Sequence, residues 1–137
     1  MDYSYEIFDS LQVIKEVYTG AIDIAFFEAT VAALSADPQF SRGLNALTDF
    51  RGCQFLFSPD DLYEFRHFYL RICGQASSRS ALVVDTPRET ALCIVFKQQA
   101  AGCRDIEVFS TREAAELWLG LDCHVLPSSP VLALGNS

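Results

Sequence analysis

The sequence predicts a single α/β domain, built on one mixed and mostly parallel β-sheet with helices packed on it. The chain has 137 residues, which is the usual size of one domain. Half of the residues are hydrophobic and only 20% are charged, a composition that excludes intrinsic disorder. Strand-like and helix-like hydrophobic patterns alternate after one initial hairpin, which is typical of a mostly parallel sheet. The predicted order is β-β-α-β-α-β-α-β-α over residues 1–120, followed by an apolar C-terminal arm over residues 121–137.

Short apolar or β-branched runs predict the strands. The predicted strands are 3–8, 11–18, 44–50, 81–85 and 104–109. Asp9-Ser10 is expected to make the first two an antiparallel hairpin that Thr19-Gly20 ends, with Gln12 and Glu16 on its more polar face. The last three strands are expected to be parallel neighbours, since they alternate with helices. The polar segment 75–80 is predicted to be a loop.

Capping patterns predict where the helices begin. The first helix follows Asp23, and the second follows Ser58-Pro59 and ends at Gly74 in a left-handed cap. The third follows Thr86-Pro87, and the last follows Ser110. In the last helix, Trp118 is expected to point inward and to anchor the helix on the sheet.

The element order and several short segments resemble the SpoIIAA-like proteins. The segments are Tyr5-Glu6-Ile7, Thr19-Gly20, Leu47–Arg51 and the closing Phe109…Trp118-Leu119. These proteins are similar to the STAS domains of anti-sigma-factor antagonists and, more loosely, to Sec14-type lipid-binding domains. The resemblance covers about residues 3–120 and implies a regulatory module that acts through another protein. Classical antagonists carry a phosphorylatable serine after the central strand, where this chain has Phe50. The nearest downstream hydroxyl belongs to Ser58, which is expected to be a helix cap.

Charge and composition exclude several classes of partner. Ten basic and 18 acidic residues give a net charge of −8, so nucleic acid is not expected to bind. The two histidines lie far apart without a ligand spacing, so neither a metal nor a cofactor is expected. No apolar run reaches the ~20 residues of a transmembrane segment. The five cysteines form no C-x-x-C pair, and no leader pattern is visible, so a cytoplasmic location is expected.

Charged residues follow two of the predicted parallel strands, at the sheet edge where open α/β sheets bind ligands. Asp49 and Asp85 are expected to flank a cleft there, with Arg51 and Arg88 placed to hold an anion or a carboxylate. The alternative is that the acids cap turns and pair with the arginines.

The apolar segment Gln54-Phe55-Leu56-Phe57 follows at the same edge of the sheet. Phe55 and Phe57 are expected to lie under the second helix as core, to rim an apolar pocket, or to form a surface for a partner. The residues leave these three possibilities open.

No catalytic motif occurs, and Cys53 has no histidine near it in sequence to act as a base, so the chain is not expected to be an enzyme. The first functional hypothesis is a non-catalytic regulatory or protein-interaction module. The alternative is a domain that binds a small apolar ligand or lipid in a pocket between the second helix and the sheet. The apolar arm is expected to pack on its own domain or, preferably, across a homodimer.

Overall fold

A computed structural model of the chain describes residues 1–122 and residue 126, and shows a mixed α/β architecture with one sheet. The strands are β1 Asp2–Phe8, β2 Val13–Ile22, β3 Asn45–Asp49, β4 Cys53–Phe55, β5 Gln75–Val83 and β6 Arg104–Phe109. The helices are α1 Ile24–Ser35, α2 Pro59–Cys73, α3 Pro87–Gln99 and α4 Arg112–Trp118. All of the predicted strands and helices are present, and β4 is additional.

The sheet has the order β1-β2-β3-β5-β6, with β4 paired to the far end of β2. β1 and β2 form the predicted antiparallel hairpin, closed by a 3-10 turn over Asp9–Leu11. β2, β3, β5 and β6 run parallel in adjacent positions, which confirms the predicted parallel strands. A mixed sheet with parallel strands at its centre needs helical crossovers, and α1, α2 and α3 supply them.

Two strands have boundaries that differ from the prediction. β5 begins at Gln75, not at Ala81, because Gln75 pairs with Arg104 of β6; after an irregularity, pairing with β6 resumes at Arg79 and pairing with β3 begins at Ser80. β2 continues through Gly20 to Ile22, because its last residues pair with β4. Segments that look like loops from composition are therefore strands when neighbouring strands supply their hydrogen bonds.

The end of α2 also differs from the prediction. Gly74 has φ −64° and ψ 120°, an extended conformation and not a left-handed cap. The chain enters β5 at the next residue, so it must leave the helix extended. A Cβ at Gly74 would lie only 2.4 Å from the Leu70 carbonyl oxygen, and this contact explains why glycine occupies the junction.

Helices cover both faces of the sheet, α1, α2 and α3 on one face and α4 on the other. The larger core lies between the sheet and α1, α2 and α3, and it is rich in aromatic rings such as Tyr18, Phe27 and Phe65. A smaller cluster on the opposite face joins Leu47 and Val83 to α4. Alternate residues of β2, β3 and β5 therefore face two different cores, as expected for strands covered on both faces.

The predicted caps are mostly present. Asp23 and Ser58 accept hydrogen bonds from the amides of Phe26 and Asp61, and Ser58 belongs to a reciprocal capping box. Thr111, and not Ser110, caps α4. The Thr86 hydroxyl makes no cap and instead donates to the Glu89 carboxylate.

The last helix and two residues of the predicted arm lie on the smaller core. Trp118 is half-buried, and its ring lies 5.6 Å from that of Phe109. Leu121 packs against the same cluster, and Leu126 is buried in it, with its carbonyl oxygen accepting a hydrogen bond of 2.7 Å from Arg112. Residues 123–125 and 127–137 of the arm lie outside the described residues, so the path of the arm and its part in a homodimer stay predictions.

Candidate functional site

The charged residues predicted at the carboxyl edge of the sheet make mostly local contacts. Asp49 forms an ion pair of 2.8 Å with Arg51 and also accepts from the Arg51 amide. Asp85 is exposed, and it accepts from the Gly52 amide at 3.4 Å. Arg88 donates to the carbonyl oxygens of Phe55 and Phe57 and forms an ion pair of 3.3 Å with the adjacent Glu89, and not with an acid across the cleft. The role of these four charged residues in binding a ligand or partner stays a prediction.

Phe55 and Phe57 are both buried, and their rings stack on each other with centroids 4.9 Å apart. Both rings also lie within 6 Å of the ring of Phe27 on α1. The two side chains point under the helices, where they form part of the core and line a cavity.

This cavity lies between the sheet and helices α1, α2 and α3, and it has a volume of about 100 Å³. Its walls are mostly apolar and rich in aromatic rings. The aromatic lining includes Phe27, Phe50, Phe55, Phe57, Phe65 and Phe96. The cavity occupies the place predicted for an apolar pocket, between the second helix and the sheet.

Polar residues also line the cavity, among them Ser41 and Arg42. Five others lie near one another, and we call them the polar cluster: Glu16, Thr48, Tyr69, Ser80 and Arg104. Thr48 donates a hydrogen bond of 2.7 Å to Glu16 Oε1, and the hydroxyl of Tyr3, from the edge strand, donates one of 2.6 Å to Oε2. Both carboxylate oxygens of Glu16 are thus hydrogen-bonded.

Arg104 is 5% exposed, and its guanidinium holds several segments together. Its Nε donates to Ser80 Oγ at 2.6 Å, and Nη1 donates to the carbonyl oxygens of Arg42 and Cys73 at 3.1 and 3.0 Å. Nη2 donates to the Leu44 carbonyl oxygen at 2.8 Å. No carboxylate of the residues that the structure describes lies within ion-pair distance of Arg104.

Burial controls the protonation of the groups around the cavity. Burial raises the pKa of the Glu16 carboxyl, although hydrogen bonds from Tyr3 and Thr48 and the charge of Arg104 oppose the rise. Burial also raises the pKa of the Tyr69 hydroxyl, which interacts with Ser80. It raises the pKa of the Cys73 thiol to about 12. Arg104 is therefore a permanent cation beside the Tyr69 hydroxyl and the Cys73 thiol, which keep their protons near neutral pH.

Sequence analysis missed the polar cluster. Glu16 was expected on a polar strand face, but α1, α2 and α3 cover that face. Arg104 was expected only as the first residue of a strand. Neither segment carries a local signal of a buried charge, because residues 11–18 alternate polar and apolar side chains and residues 104–109 include three charged ones.

The remaining candidate residues, Cys53 and His67, do not lie in environments that favour catalysis or metal binding. Cys53 is buried, its thiol donates to the Tyr18 carbonyl oxygen at 3.1 Å, and burial raises its pKa to about 12, which is the opposite of an activated nucleophile. His67 is exposed on α2.

Among residues 1–122 and 126, no three His, Cys, Asp or Glu side chains are grouped in a way that could hold a metal ion. Within the same residues, no helix has the length and apolarity needed to span a membrane.

Comparison with known proteins supports the fold assignment. No family model and no curated protein matches the chain. A solved structure that does match is an uncharacterised protein of the DUF3478 family with a SpoIIAA-like fold, from Shewanella loihica PV-4. The match has 15% sequence identity and a TM-score of 0.58, and it covers 85% of this chain and 93% of that one. The chain therefore has a SpoIIAA-like fold.

Proposed function

We propose that the protein is a non-catalytic module that binds a small apolar ligand in the cavity under helix α2. The observation that carries the proposal is the cavity itself, because protein interiors are normally packed to the density of organic crystals. A void of about 100 Å³ walled by phenylalanine rings loses dispersion contacts, and a bound apolar molecule would restore them.

The size and lining of the cavity define the class of ligand. An apolar cavity of about 150 Å³ is large enough to bind benzene or xenon. The cavity of this protein is of that order, and its aromatic walls favour an aliphatic or small aromatic group. The buried positions of Phe55 and Phe57 favour this role over a flat partner surface formed by these two residues.

The binding of xenon and benzene, followed by changes in the NMR spectrum of the protein, tests the proposal. Signals from methyl groups that line the cavity, such as those of Val31 and Leu82, are expected to shift on titration. The variant Ala46→Ile places three additional carbon atoms in the cavity and is expected to abolish these shifts. Ala33→Ile adds the same atoms to the exposed face of α1 and serves as the matched control. If neither probe shifts any cavity signal in the wild type, the proposal is wrong.

A protein partner, which the SpoIIAA resemblance implies, is the second candidate. Leu56 and Tyr63 are 52% and 48% exposed, just before and within the first turns of α2. Exposed large apolar side chains are candidates for an interaction surface. A regulatory role of this kind, in the cytoplasm and as a homodimer, remains part of the proposal. Sedimentation of the wild type and of the double variant Leu56→Ser, Tyr63→Ser tests this surface: a dimer that forms through it dissociates in the variant, whereas a dimer formed through the apolar arm does not.

A further inference from the structure

The charge of Arg104 is the feature of the cavity that its apolar walls do not explain. The guanidinium is buried, and its four hydrogen-bond acceptors are a hydroxyl and three carbonyl oxygens, all uncharged. No carboxylate of residues 1–122 or 126 forms an ion pair with it. Because a buried charge is costly unless an opposite charge compensates it, this site favours an anion.

The hydrogen-bonding capacity around the cavity also favours a ligand with acceptor atoms. A guanidinium has five N–H groups, and four hydrogen bonds to protein atoms are present, so one N–H on Nη2 has no partner among them. Tyr69 adds a hydroxyl that keeps its proton, because burial raises its pKa. A carboxylate supplies two acceptor oxygens and one negative charge, and it matches the planar geometry of a guanidinium.

We propose that the ligand is a small apolar monocarboxylate, with its carboxylate at Arg104 and its hydrocarbon part among the phenylalanine rings. The inference rests on the proposed function, and it adds the charge of the ligand and the residue that binds that charge.

The experiment compares butyrate with butyramide, which has the same shape but no charge, by NMR titration of the wild type at about pH 7, above the pKa of a free carboxylic acid. Butyrate is expected to bind about tenfold more tightly than butyramide, as for one charge-assisted interaction.

The outcomes separate this inference from the proposed function. If benzene and xenon bind but butyrate binds no better than butyramide, the inference is wrong and the proposed function stands. If none of the four probes binds, both are wrong. Arg104→Gln should lose the preference for butyrate and keep benzene binding; if this variant does not fold, the comparison of acid and amide in the wild type still decides the question.

Discussion

Replacement of Phe27 by alanine is expected to be among the most damaging substitutions on α1. Phe27 is buried, and its ring centroid lies 5.1 to 5.9 Å from those of Tyr18, Phe50, Phe55, Phe57 and Phe65. Removal of a buried phenylalanine side chain costs about 3–5 kcal/mol, and aromatic pairs add roughly 0.5–1.5 kcal/mol each beyond the buried area. The side chain also borders the cavity, so its removal enlarges a void that already exists.

We therefore expect Phe27→Ala to lower the free energy of unfolding by about 4–5 kcal/mol, a large part of the ~5–15 kcal/mol of a typical domain. Urea denaturation followed by circular dichroism measures the loss. The neighbouring Phe26 provides the matched control, because it lies on the same helix but is only half-buried, with its ring 6.3 Å from that of Tyr18. Phe26→Ala changes the same atoms and should cost about 1–2 kcal/mol, in proportion to its smaller buried area.

The comparison of the two variants tests the aromatic core. If Phe26→Ala and Phe27→Ala lower the free energy of unfolding equally, Phe27 does not pack in an aromatic core. The position of the cavity beside its ring would then be wrong as well. Addition of benzene to Phe27→Ala provides a further check, because the enlarged cavity should bind it and recover part of the lost stability.

Three further predictions follow from single contacts. Trp118→Ala is expected to lower the free energy of unfolding by about 2 kcal/mol, less than for a fully buried tryptophan, because the ring is half-buried. A melting temperature equal to that of the wild type would mean that α4 is not anchored through this ring. Ser58→Ala removes the cap of α2 and should cost about 1 kcal/mol in urea denaturation, and an unchanged midpoint would contradict the capping geometry. Burial raises the folded-state pKa of Glu16, so the stability that its neutral form contributes is lost as the pH rises from the unfolded value of about 4.3 through the folded pKa. Glu16→Gln cannot ionise, so urea denaturation at several pH values should show the variant becoming more stable relative to the wild type as the pH rises. A difference in stability that does not change with pH would refute the raised pKa.

The strand pairing was predictable because hydrophobic periodicity and the alternation with helices restrict the topology strongly. The extension of β5 was not predictable from composition. Ser80 looks like a loop residue, but it pairs with Ala46 of β3 and Ile106 of β6, and its hydroxyl accepts from Nε of Arg104. Tertiary hydrogen bonds override local propensity at such positions.

The candidate site was predictable only in its apolar part. The sequence places three large apolar residues together, Phe55, Leu56 and Phe57. This run is compatible with a pocket next to the second helix, with simple core packing and with a partner surface. The polar cluster combines Glu16 with Arg104, which are 88 positions apart by their numbering and come from opposite halves of the chain. Their proximity depends on the order of the strands, and no local pattern contains that information.

The contacts of Arg104 have a consequence for the order in which the chain folds. Its guanidinium donates to the carbonyl oxygens of Arg42, Leu44 and Cys73, which lie 62, 60 and 31 residues away in sequence. Contacts of such long separation form only after the intervening segments are in place, because closing long loops costs entropy. The loop before β3, the last turn of α2 and the first residue of β6 should therefore become protected from hydrogen exchange in one late step, and they should open together as a single cooperative unit in the native state.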